Sequence, residues 1–222
     1  MNKAAMKLLI LFLPLGMIST AQAVDLENGE EINELCAGCH GEYGEGDKNG
    51  DYPRLSGQPE SFISKQMHLF RDRKRPNLPM LEYVDERQFP DQEIADVSAY
   101  LAQVELPTKL PPFDEENFDP LKRLLEAKRV VNIPRMPGDI EAGRKRYKRE
   151  CRSCHGSEGW GDHEKGVPML AGQYSVYLQR QVKKYLDKHR IHDPESPDDE
   201  LLAAFTAQEL DEIWAYLSTV DD

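Results

Sequence analysis

Two short stretches of this chain carry the same chemistry-bearing pattern. Cys36-Ala37-Gly38-Cys39-His40 and Cys151-Arg152-Ser153-Cys154-His155 each place two thiols three residues apart with a histidine next in line, and together they use every cysteine present. Thiols at that spacing lie one above the other on a helical turn. Each can bond one vinyl group of the same porphyrin, and the adjoining imidazole can reach the iron. The pattern therefore predicts two covalently bound haem c groups, held by Cys36, Cys39, Cys151 and Cys154, with His40 and His155 as proximal iron ligands. Other uses of cysteine fit less well. Zinc wants four ligands from neighbouring pairs, and these pairs are 115 residues apart. A thioredoxin-like redox pair wants a βαβ pattern around it, which is not visible. A disulfide framework leaves the trailing histidines unexplained.

The elements that must position these groups are repeated too. Pro53-Arg54-Leu55-Ser56-Gly57-Gln58 matches Pro168-Met169-Leu170-Ala171-Gly172-Gln173 at the same offset of 115, and Ala99-Tyr100-Leu101 matches Ala215-Tyr216-Leu217 at 116. Each half reads as helices and loops. A helical segment precedes each motif, over Leu26–Leu35 and Ile140–Glu150. A glycine-rich loop follows, then a helix near Glu60–Arg71 and near Ser175–Lys188. The last helix of each half has one apolar face, from Ile94, Val97, Leu101 and Val104 and from Leu210, Ile213, Leu217 and Val220. Thr206 with Glu209 is a capping-box signature. No alternating strand pattern is visible, so both halves are expected to be all-α.

The resulting organisation is a signal peptide over 1–23, an N-terminal domain over 24–104, a connector over 105–138 and a C-terminal domain over 139–222. The signal peptide is read from Lys3 and Lys7, the apolar run Leu8 to Ile18, and the small-residue site Ala21-Gln22-Ala23. That run is too short for a mature membrane anchor, so no span is expected after cleavage and the protein should be periplasmic. The connector holds six prolines, and Asp119-Pro120 before Leu121, Leu124 and Leu125 predicts a short capped helix within it. A connector this long is expected to pack on the domains. The whole chain carries a net charge of −12, and loss of Lys3 and Lys7 takes it to −14. Such a chain repels nucleic acid but suits a basic patch on a redox partner. The basic runs Arg71–Arg75 and Arg144–Arg149 read as solvated faces, with haem propionates or a partner's carboxylates as the alternative.

The two Cys-x-x-Cys-His-Gly motifs, the two Pro-x-Leu-x-Gly-Gln blocks and the aromatic-bearing last helices resemble the tandem dihaem class I cytochromes c, most closely the cytochrome c4 type. The resemblance covers about residues 25–104 and 139–221, and the connector is longer than that group would suggest. It implies two tandem class I cytochrome c domains and a periplasmic carrier that transfers electrons between redox protein partners and is not itself an enzyme. It also implies that the carbonyls of Pro53 and Pro168 brace the proximal histidines.

Distal ligands follow less directly. The family's ligand methionine lies before the last helix of a domain. Pro79-Met80 stands there in the first half, so Met80 is expected to bind the first iron, with Met67 as the rival. The second half breaks the pattern: from Lys188 to Phe205 it has no methionine, and Glu195 falls where Met80 would be. His192 is the expected substitute. His189, Met169 and an open position are the alternatives, and His68 and His163 read as surface residues. An open iron would favour a haem enzyme or gas sensor, and the long connector would suit a cytochrome subunit of a larger oxidoreductase.

Overall fold

The computed structural model describes residues 23–86, 89–112, 115–192 and 200–220. The expected signal segment up to Gln22 and the loop position Glu195 lie outside the described residues. Within them the chain is helical, with no strand and one isolated bridge between Asp162 and Val167.

The N-terminal domain is built from α1 (Leu26–His40), α2 (Glu60–Arg71), α3 (Leu78–Glu86) and α4 (Asp91–Gln103). The Asp25 carboxylate caps α1 by accepting from the Glu27 and Asn28 amides. The helix does not stop at Leu35 as expected. Nothing in Cys36–His40 breaks it, and it ends where Gly41 adopts φ +82°. Helix α3 is also unforeseen. Pro79 suggested a loop, but it occupies the first turn, where a missing N–H costs nothing.

α1 crosses α4, and α2 packs on both α3 and α4. The crossing needs Gly29, because a Cβ there would strike the Asp96 carbonyl. Asp96 itself is 1% exposed and ties the two helices together. Its carboxylate accepts from the Asp25 amide (2.9 Å), Asn28 Nδ2 (2.8 Å) and Gln92 Nε2 (2.8 Å).

The C-terminal domain repeats this plan with α6 (Ile140–Glu150), the single turn α7 (Arg152–His155), α8 (Ser175–Leu186), a 3₁₀ turn (Leu201–Ala204) and α9 (Ala207–Leu217). α6 crosses α9 at Gly143, where a Cβ would strike the Glu212 carbonyl. The Thr206–Glu209 capping box is formed. Each domain has its own apolar core, one around Ile94, Val97 and Leu101, the other around Tyr147, Ile213 and Trp214.

The connector packs through its ends. Leu106 and Val131 are buried with Tyr174 in a third cluster, and the Val131 amide donates to the Pro107 carbonyl at 2.9 Å. Its central helix, α5 (Pro120–Arg129), is capped by Asp119 as expected. Leu121, Leu124 and Leu125 on it are 64, 58 and 49% exposed.

Candidate haem centres and the interface between them

Each Cys-x-x-Cys-His motif ends a helix, so the histidine leaves the last turn pointing into its domain. His40 and His155 are buried, and in both the ring Nδ1 lies 2.9 Å from a proline carbonyl, Pro53 O for His40 and Pro168 O for His155. A carbonyl only accepts, so Nδ1 must carry the proton and Nε2 keeps its lone pair for a metal. Burial pulls the His40 imidazole below its usual value, with the Pro53 bond opposing. Burial pushes His155 down to about 4, the Pro168 bond opposing and the charge of His192 adding to the shift. Both imidazoles are therefore neutral at pH 7, the form that ligates. The four cysteines form no disulfide.

In the N-terminal domain Met67 on α2 and Met80 in the first turn of α3 both pack, half-buried, against the same core of Phe70, Val84 and Ile94. In the C-terminal domain the His192 ring stands 6.2 Å from that of His155, centre to centre. Tyr185 meets His192 edge-on at 5.2 Å. Metal–imidazole bonds of about 2.0–2.1 Å on each side, with roughly 1 Å from nitrogen to ring centre, span about 6 Å. The separation of the two rings is of that length.

The alternatives are placed elsewhere. His189 and His192 are both exposed; the His189 amide is bonded to Lys184 O, whereas it is the His192 ring that meets His155. Met169 is 4% exposed but follows the proline that braces His155, which sets it on the proximal side against the other domain. His163 is exposed, and His68 pairs with Arg71 near the surface.

The region between the domains carries a feature that sequence reasoning missed. Gln66 and Arg75 recur 115 residues on as Gln181 and Arg190, and the four form a closed ring. Arg75 donates to Gln66 Oε1 (2.8 Å) and across to Gln181 Oε1 (2.9 Å). Arg190 donates to Gln181 Oε1 (2.8 Å) and across to Gln66 Oε1 (3.1 Å). Both guanidiniums are buried, and neither has a carboxylate in ion-pair range among the described residues. Burial and the charge of Arg190 pull Arg75 below its ordinary value. Burial pushes the neighbouring Tyr177 phenol up, but Arg75 and Arg190 outweigh it and hold the phenol below its ordinary value. The two guanidiniums are held instead by the amide oxygens of Gln66 and Gln181 and, for Arg75, by the Tyr177 hydroxyl.

The cytochrome c family model matches residues 26–105 and again 140–221. This chain belongs to the cytochrome c family. It is 28% identical over 205 residues to cytochrome c4 of Pseudomonas aeruginosa, covering 92% of this chain and 91% of that one. It is also 28% identical over 159 residues to the thiosulfate dehydrogenase electron acceptor of Thiomonas intermedia, covering 72% and 66%. Its fold is similar to that of reduced cytochrome c4 from Pseudomonas stutzeri, with a TM-score of 0.68 at 20% identity over 88% of this chain and 98% of that one.

This is thus a tandem, cytochrome c4-like protein of an electron-carrier family, and its two domains each bind one covalent haem c. The residues present fit that group. Two neutral, braced imidazoles each stand next to paired thiols. No described helix is long and apolar enough to cross a membrane.

Proposed function

We propose that this cytochrome is an exported, periplasmic carrier in which domains 24–104 and 139–222, joined by the connector 105–138, hold unequal haems. The first iron takes His40 and Met80, and the second takes His155 and His192. Haem iron supplies reversible one-electron chemistry. The protein holds each imidazole by its proline carbonyl, excludes water with the cores behind Ile94 and Ile213, and sets each potential through the distal side chain. The observation that carries the reading is the His155–His192 pair at 6.2 Å, in the domain whose loop lacks a methionine. Periplasmic placement rests on the leader pattern before Val24 and on the covalent haem motifs.

Electron paramagnetic resonance of the oxidised, purified holoprotein tests it. Two low-spin signals are expected, one of histidine–methionine and one of bis-histidine type. A high-spin C-terminal haem, or ready binding of carbon monoxide by the reduced protein, would overturn the assignment of His192 and favour an enzyme or sensor.

A second reading draws on the relative named as an electron acceptor of thiosulfate dehydrogenase. Here the chain works as the cytochrome subunit of a larger oxidoreductase, and the exposed Leu121, Leu124 and Leu125 of α5 supply an apolar docking face. Co-purification of a catalytic chain that is lost on Leu124→Glu distinguishes it.

A further inference from the structure

The two peptide units that brace the proximal histidines are each grasped by the opposite domain. Pro53 O accepts from His40 Nδ1, and the N–H of the same peptide unit, that of Arg54, donates to Gln173 Oε1 at 3.0 Å. Gln173 Nε2 then donates to Arg54 O at 2.9 Å. The second site mirrors the first. Pro168 O accepts from His155 Nδ1, the Met169 N–H donates to Gln58 Oε1 at 3.0 Å, and Gln58 Nε2 donates to Met169 O at 3.1 Å. Gln58 and Gln173 are repeat counterparts, both 4% exposed. The contact is an isologous one made within a single chain.

We propose that Gln58 and Gln173 are crossed positioning residues, each tuning the haem of the other domain. The physical basis is the peptide dipole. A peptide whose N–H is bonded to an amide oxygen is polarised, and its carbonyl becomes the stronger acceptor. A stronger acceptor at Nδ1 makes the imidazole more basic, and a more basic ligand favours the ferric state. Gln58 therefore lowers the potential of the C-terminal haem, and Gln173 that of the N-terminal haem. Because each clasp holds both polar groups of one residue, it also fixes the position of the carbonyl. Separation of the domains would release both braces together, so the potentials depend on the domains staying docked.

The inference rests on His40 and His155 being iron ligands. The test keeps the two apart by reading the wild type first. Proton NMR of the reduced holoprotein should show two slowly exchanging Nδ1–H resonances from proximal histidines. Their absence removes the ligand assignment itself. With them present, Gln58→Leu should raise the midpoint potential of the C-terminal haem and shift the His155 Nδ1–H resonance, leaving the N-terminal haem unchanged. Gln173→Leu should do the reverse. Gln58→Glu keeps the oxygen acceptor, so its C-terminal potential should stay at or below the wild-type value. A shift confined to the haem of the mutated domain, equal shifts in both haems, or no shift in either would each overturn the proposal. Small-angle scattering of every variant checks docking, and a Gln58→Glu protein that remains docked decides the case if Gln58→Leu does not.

Discussion

At the scale of single residues, function depends on which side chains face each iron. The two Cys-x-x-Cys-His motifs were legible in the sequence because covalent attachment needs a fixed spacing, and the structure adds that His40 and His155 are buried with a proline carbonyl 2.9 Å from each Nδ1. The distal ligands were less so, because any loop that brings a donor to the right place will serve. Met80 and Met67 both reach the first core, and a substitution separates them. Met80→Ala is expected to abolish the charge-transfer band that a methionine–ferric iron bond produces and to lower the potential of that haem, since the thioether favours the ferrous state. An unchanged band would move the assignment to Met67. His192→Ala is expected to turn the C-terminal haem high-spin and open it to carbon monoxide. If it stays low-spin while His189→Ala does not, the ligand is His189. The Arg75–Arg190 ring escaped notice for a different reason. Arg75 was read with its neighbours in a basic run, although the recurrence of Gln66 and Arg75 at the offset of 115 was there to find. A run of charges along the chain does not reveal which member turns inward.

At the scale of elements, the helical period was enough to place α4 and α9, because each buries one apolar face. The helix before the first motif was drawn short of its end at His40, and α3 was missed because Pro79 suggested a loop. The clasp between α1 and α4 makes a pH-dependent prediction. Burial pushes the Asp96 carboxyl up, but hydrogen bonds from the Asp25 amide, Asn28 and Gln92 outweigh it and hold the group below its usual value near 3.8. A depressed carboxylate stabilises the fold above its unfolded pKa, and the contribution is lost as pH falls through the lower folded value. Asp96→Asn should cost about 2 kcal/mol at pH 7, the scale of hydrogen bonds to a charged group. The gap from wild type should close below pH 4. Urea titrations of the holoproteins at pH 7 and pH 3 check this, and a gap that does not change between them would contradict it.

At the scale of the whole molecule, the two domains are alike in fold and differ in the segment before the last helix, which carries Met80 in one half and no methionine in the other. Repetition in the sequence showed the likeness, and a missing methionine showed the difference. What the sequence did not show is how the halves meet. The Pro-x-Leu-x-Gly-Gln blocks were visible as a repeat, but that each glutamine clasps the other domain's brace follows only from the docked structure. The expected consequence of unequal ligands is unequal potentials. With His155 and His192 as the proposed pair, the C-terminal haem should be the lower, so an electron entering there passes downhill to the N-terminal haem. The most direct test of the central claim is a potentiometric titration of the wild-type holoprotein followed by its visible spectrum. Two separated waves are expected, with the methionine charge-transfer band belonging to the higher one alone. A single wave, or a methionine band on both waves, would contradict it.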